Sequence, residues 1–187
     1  NWQVQLQNIQ YEGPDGSLMT HPNQRLTVRM DNGTPLGTVS GKYQIVQNRD
    51  QFQFFDGLFS DEEIKFESAF AMKGGEVVCL LARIPGHVLT VGDGDTSEPY
   101  LMSINSHNGM LTQRIYPTGV RAVCWNTVQL AMQQASTYVG IRHFGNVAEA
   151  TEAARGAIRT TLNYWDSYCE AAKRLADFVV DHDDAIQ

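Results

Sequence analysis

Tyr100-Leu101-Met102-Ser103-Ile104-Asn105-Ser106-His107-Asn108-Gly109-Met110-Leu111-Thr112-Gln113-Arg114-Ile115-Tyr116 decides the fold class. Asn108-Gly109 is the favoured pair for a tight type I′ turn, where both central residues need positive φ. Runs rich in apolar and β-branched residues flank it, so the segment predicts an antiparallel hairpin. After Pro117 the period changes. Val120, Val123, Cys124, Thr127, Val128, Leu130 and Ala131 fall mostly on one helical stripe, which Arg121 opens. Strands that give way to helices predict an α+β fold: an antiparallel meander, a helix, a short strand and a long C-terminal helix.

The chain upstream supports the meander. Trp2, Val4 and Leu6 alternate with polar residues, as do Leu26, Val28 and Met30, which run into the turn signal Asp31-Asn32-Gly33. Leu36 to Val46 is a further extended run. Residues 50–59 predict a short helix with Phe52, Phe55 and Phe59 on one face. Ile64, Phe66, Ser68 and Phe70 alternate with Lys65, Glu67 and Ala69. Gly74-Gly75 then turns the chain into Val77 to Ile84, apolar enough for a central strand. The Asp-x-Asp pattern in the polar loop at 92–98 lacks the later glycine and final glutamate of a calcium loop, so no metal is expected there.

Downstream, Tyr138 to Phe144 reads as a short extended segment. Asn146 can cap a long helix, with Glu149 completing an approximate capping box. Val147, Ala150, Ala154, Ile158, Leu162, Trp165, Cys169, Ala172, Leu175 and Val179 recur every three or four residues. Such a helix runs about 45 Å at 1.5 Å per residue, longer than a small domain is wide. The expected organisation is a core domain over residues 1–145, with the helix and acidic tail of 146–187 packed on the core or on a neighbouring subunit. A homo-oligomer, ring or filament, follows as an expectation. No Gly-rich phosphate loop and no βαβ rhythm appears, which excludes Rossmann and P-loop readings.

The composition bounds the class. The 187 residues are 42% hydrophobic and 19% charged, which suits a folded domain rather than a disordered chain. No apolar run approaches 20 residues, so no membrane span is expected. The chain opens at Asn1 without a signal-type stretch, and its start looks trimmed. Cys79, Cys124 and Cys169 are an odd, widely spaced set, which argues against a disulfide framework and for a cytoplasmic setting. Asn32-Gly33-Thr34 fits a glycosylation sequon but reads as a plain turn.

The formal net charge of -7 excludes a histone-like coat for nucleic acid, but its distribution is uneven. Residues 1–98 hold 13 acidic and 7 basic side chains; residues 99–148 hold no Asp or Glu, yet contain Arg114, Arg121, Arg142, His107 and His143. That window reads either as buried chain or as a surface that must not repel an anion. Arginines fork onto phosphates, His107 and Asn105 can donate hydrogen bonds, and Trp125, Tyr116 and Phe144 can stack on bases. Arg114 and Arg121, seven residues apart across the Pro117 corner, are expected to face one groove, with Lys42 and Lys73 extending the track. Arg121 could instead pair with an acid from the first half of the chain. Cys124 with His107 or His143 offers the ingredients of a thiol nucleophile, although its place on the apolar stripe reads as core packing. His107 and His143 lack a third ligand at metal spacing, so no metal or other cofactor is expected.

Leu36 to Asn48, the Met72-Lys73-Gly74-Gly75 turn with Val77 to Ile84, Asn105 to Gly109, Arg121 to Thr127 and Ile141-Arg142-His143 together resemble a domain-of-unknown-function family of phage- and plasmid-related proteins. The resemblance covers roughly residues 2–180 and brings no catalytic residues with it. At the level of architecture alone, a meander followed by a helix is similar to the phage single-strand annealing proteins of the Red-beta and RecT type. The expectation is therefore an oligomeric single-stranded-DNA-binding protein that promotes annealing in recombination and catalyses no chemistry. The site residues would be Arg114, Arg121, Arg142, His107, Asn105, Trp125, Lys42 and Lys73. The alternatives are a cysteine-dependent enzyme built on Cys124, and an interaction factor that counters host defence.

Overall fold

Leu80 and Ala82 point to one side of a strand, Cys79 and Leu81 to the other, and all four are buried. A strand so placed needs cover on both faces, and this requirement organises the protein. The computed structural model describes residues 2–56, 58, 65–84, 89–91, 95–97, 99–135 and 137–176. In chain order its elements are β1 (Val4–Glu12), β2 (Leu18–Arg29), β3 (Pro35–Ser40), α1 (Asn48–Asp56), β4 (Lys65–Met72), a 3₁₀ turn (Lys73–Gly75), β5 (Val77–Arg83), β6 (Leu89–Val91), β7 (Asp95–Ser97), β8 (Tyr100–Ser106), β9 (Gln113–Thr118), α2 (Trp125–Gln134), β10 (Val139–Ile141) and α3 (Val147–Ala176). The class is α+β, with strands followed by helices.

A five-stranded antiparallel sheet in the order β10-β9-β8-β5-β4 forms the middle layer. One face carries Leu80, Ala82, Leu101, Ile115 and Ile141, closed by Phe54 and Phe55 of α1 and by Ala154, Ile158 and Leu162 of α3. The other carries Cys79, Leu81, Met102, Ile104 and Tyr116, closed by Ala122 and by Val128 and Ala131 of α2. Each large side chain so buried stabilises the fold by about 1.5–3 kcal/mol. Burial pushes the Cys79 thiol up to about 12, which makes it an inert packing group. A three-stranded sheet, β1-β2-β3, and a small β6-β7 pair complete the described strands.

The start of α3 follows the sequence reading. The Glu149 backbone N–H donates to Asn146 Oδ1 at 3.2 Å, and Asn146 Nδ2 donates to the Glu149 carboxylate at 3.1 Å. Asn146→Ala is expected to cost about 1 kcal/mol, read as a lower urea midpoint. The first half of the apolar stripe is covered by the chain's own sheet and α1 rather than by another subunit. Val179 and Phe59 lie outside the described residues, as do residues 92–94 and 98 of the polar loop; residues 95–97 form β7.

Three local expectations are corrected. The extended run after Leu36 ends at Ser40, and the chain from Gly41 to Gln47 carries no regular strand. The β8–β9 connection is not a two-residue type I′ turn. The register sets Ile104 opposite Arg114, and only Gly109 of the Asn108-Gly109 pair has positive φ. Tertiary bonds claim Asn108 instead: its Nδ2 donates to Glu76 at 2.8 Å, and its Oδ1 accepts from Ser106 Oγ and from Met110 N. The third correction concerns α2, which starts at Trp125, four residues later than the apolar stripe suggests. Gly119 to Val123 crosses the sheet without helix, so Ala122 is buried while Val123 and Cys124 are exposed.

Candidate nucleic-acid interface

Tyr43 and His143 stack at 4.7 Å between ring centroids, their planes 17° apart. Gln44 N–H donates to the His143 carbonyl at 2.6 Å, and His143 Nδ1–H donates back to the Gln44 carbonyl at 3.2 Å. Tyr43 Oη donates to the Ser106 carbonyl at 2.9 Å, and Asn105 Nδ2 to the Val46 carbonyl at 3.0 Å. His107 Nε2 meets Asn48 Oδ1 at 2.9 Å. Asn48 Nδ2 donates to the Trp2 carbonyl, so its Oδ1 is the acceptor and His107 carries its proton on Nε2. Three separate stretches, 43–48, 105–108 and 143, are thereby bound into one buried polar junction. Gly37 completes it: a Cβ there would lie 2.6 Å from Asn108 Cα.

A groove of about 400 Å³ opens above this junction. Thr38, Val39 and Ser40 form one wall, Gly109 to Thr112 the other, and Tyr43, Arg114, His143 and Phe144 close the floor and end. Among the described residues no carboxylate lines it. Arg114 lies over the Tyr138 ring at 4.8 Å and donates to Tyr116 Oη at 3.4 Å; this bond raises its pKa and keeps the guanidinium charged. Its Nε is buried and lacks a partner, as does His143 Nε2. Burial lowers the His143 pKa, opposed by the carbonyls of Gln44 and Leu111. At the rim the Arg142 guanidinium stacks on exposed Phe144 at 5.5 Å. Lys42 is exposed between Ser40 and Tyr43, both lining residues.

The remaining expected site residues lie elsewhere. Asn105 and His107 are fully buried and already bonded, so a strand on the surface cannot reach them. Tyr116 is buried too and serves the groove only through Arg114. Arg121 does not share the groove. It pairs with Glu67 of β4 at 3.1 Å, beside the 2.5 Å pair of Glu67 with Arg83. Arg83 and Arg121 together hold the Glu67 carboxyl below its usual range. β4 stands three strands from β9, about 14 Å at the usual strand spacing, because the chain crosses the sheet before α2 begins. Trp125 is partly exposed at the far end of α2 from Tyr138, about 14 Å along the axis. Lys73 sits in the β4–β5 turn, where Arg29 donates to the neighbouring Gly74 carbonyl.

The chain belongs to DUF932, a family described as a domain of unknown function. The family's model matches residues 35–187, so the match begins with β3 and takes in every residue that lines the groove. No curated protein and no solved structure matches the chain.

Cys124 is a further correction. It is the exposed N-cap residue of α2 rather than a core group. The Thr127 side chain and backbone N–H lower its thiol pKa. Its hydrogen bonds go to Thr127, while His107 and His143 are buried on other partners, so no Cys–His pair forms. Among the described residues no group of three or more His, Cys, Asp or Glu could hold a metal ion, and no helix is long and apolar enough to cross a membrane. Sequence reasoning missed Thr38, Ser40 and Tyr43 as groove residues, and Tyr138 as the ring beneath Arg114. Tyr138 had a signal: an aromatic just before a short strand, inside the carboxylate-free window.

Proposed function

We infer that the protein binds single-stranded nucleic acid along the Arg114 groove, as a phage- or plasmid-type factor that assembles into oligomers and promotes annealing. The carrying observation is the groove itself: a charged, stacked arginine in a cleft without a carboxylate, with an Arg–aromatic pair at its rim. Arg114, Arg142 and Lys42 would meet phosphates, and Phe144 would stack on a base. None of the described residues that line this cleft carries a negative charge, although the chain as a whole is acidic. The order of a meander followed by a helix is the architecture expected of such an annealing protein, and it bears on the reading at that level only. Fluorescence anisotropy with labelled single- and double-stranded DNA and RNA, titrated with salt, tests it. Affinity for single strands that falls steeply with salt is expected; absence of binding at 50 mM salt overturns the reading.

Arg121→Ala is expected to leave single-strand affinity and salt slope unchanged. It should lower stability by no more than about 1 kcal/mol, the range for an exposed ion pair. A weakened complex in the same titration would move the binding surface to the β4 edge.

The exposed thiol of Cys124, whose pKa the Thr127 contacts lower, favours one second reading, a thiol-dependent activity. Rapid, selective alkylation of Cys124 that leaves nucleic-acid binding intact would support it as a separate function.

A further inference from the structure

β1 and β2 outrun the third strand of their sheet. Arg25 of β2 lies opposite Val39 of β3 on one side and Asn8 of β1 on the other. From Asn8 the hairpin continues to Glu12, about 13 Å at the usual rise, and then turns. Residues 10–20 of this arm are exposed except Gly13, which sits inside the turn with its N–H on the Ser17 carbonyl. Leu18 is 70% exposed, and Met19 and Tyr11, paired across the strands, are exposed as well. A two-stranded ribbon is marginal by itself in water, so an arm that shows apolar groups gains from a partner.

The tip of the arm is acidic. Ahead of Arg25 the sequence holds no Lys or Arg, and its only acids are Glu12 and Asp15. The Ser17 hydroxyl donates to Asp15 Oδ1 at 2.6 Å and the Ser17 N–H at 3.1 Å, which holds the carboxyl below its usual range and keeps it charged. The groove has the complementary character. Arg114 lines it, Arg142 and Lys42 stand at its rim, and among the described residues no carboxylate does. It also shows apolar groups of its own, Met110 on one wall and Phe144 at the end, both exposed. A chain's own tip is carried away from its own groove, because the strand that pairs with Val39 and Ser40 leads the arm past them. Among the described residues no hydrogen bond, ion pair or ring contact joins residues 10–20 to the groove.

We propose that the β1–β2 tip of one copy seats in the Arg114 groove of the next, with Glu12 and Asp15 against Arg114, Arg142 and Lys42. The occupant follows from charge and reach: the tip brings two acids with apolar neighbours to three cations with apolar neighbours, and it stands clear of its own chain's groove. The contact joins two different surfaces, so it builds a ring where the rotation closes and a filament where it does not. It depends on the chemistry of the groove and not on nucleic-acid binding. One consequence does rest on that reading: strand and tip compete for one cleft, so the free protein covers its own binding surface and the phosphates of a single strand displace the tip.

An exchange of charge tests the contact, read by light scattering at about 100 μM protein and about 50 mM salt, where screening is weak. The wild-type chain is expected well above its 20.9 kDa monomer mass, and should fall back toward it as salt rises. Glu12→Lys/Asp15→Lys makes tip and groove both cationic. Lys42→Glu/Arg142→Glu, at two exposed positions, turns the rim of the groove anionic like the tip. Each variant alone should be monomeric, its association weakened about tenfold or more. Mixed in equal parts they should assemble again, because each tip then meets a groove of opposite charge. A wild-type monomer overturns the proposal, as does a tip variant that assembles like wild type or a mixture that stays monomeric. The tip variant, its groove uncovered, should bind labelled oligothymidylate at least as tightly as wild type. Assembly as described without strand binding by either protein overturns only the nucleic-acid reading; strand binding that leaves the wild-type assembly intact overturns the shared cleft.

Discussion

Urea midpoints of this protein should fall as the pH drops from 6.5 toward 4, and His107 should account for about 3 kcal/mol of the loss. Burial first, and the neighbouring His143 second, lower the His107 pKa from 6.5 to about 4. The ring is fully enclosed, with Trp2 edge-on at 5.5 Å and Asn48 Oδ1 fixing the Nε2–H tautomer. Nδ1 has no partner that could stabilise a second proton. The unfolded chain therefore takes up a proton near pH 6.5 that the folded chain refuses until about pH 4. Stability from this group is full above 6.5 and lost as the pH falls through that window. The downward shift of His143 acts in the same direction. His107→Gln keeps a donor for Asn48 but cannot titrate. It should be less stable at pH 7 and show a flatter decline below 6.5. A decline as steep as that of wild type would show that the His107 ring is not held neutral.

Arg114→Met should weaken single-strand binding by about 1.5–3 kcal/mol, roughly tenfold to a hundredfold, the range for a hydrogen bond to a charged group. Methionine keeps an apolar stem over the Tyr138 ring, so the change isolates the guanidinium from its packing. The salt slope should become shallower by about 0.7, the value for one lost phosphate contact on a single strand. Arg114→Lys should retain the slope yet lose part of the affinity, because an ammonium neither forks nor stacks as a guanidinium does. Anisotropy titrations at three salt concentrations check both variants. A folded Arg114→Met protein with unchanged affinity and slope would remove the groove from the binding surface.

The helix start at Asn146, with Glu149 three residues on, was legible because a helix start is a local contest among adjacent groups. The central strand Val77 to Arg83 was legible because two-sided burial leaves a continuous apolar run. The α+β class followed from the change of period after Pro117, and the carboxylate-free window pointed to the stretch that forms one wall and the end of the groove. These are properties of neighbouring residues, so the sequence by itself determined them. The destinations of long-range bonds were not legible. Asn105 and His107 looked like surface donors, but Val46 and Asn48, more than fifty residues earlier, draw them inside. Asn108-Gly109 carried the signature of a tight turn, yet Glu76 and Gly37 reshape it. Arg121 and Arg114 are seven residues apart in sequence, but the intervening chain crosses three strands and delivers Arg121 to Glu67. Cys124 sat on an apparent helical stripe and emerged as an exposed cap, because the chain before it is spent on that crossing. A buried polar group takes whichever partner the fold brings near, since leaving it unpaired costs about 1–3 kcal/mol. Only the tertiary structure decides which partner that is, and with it where the groove opens.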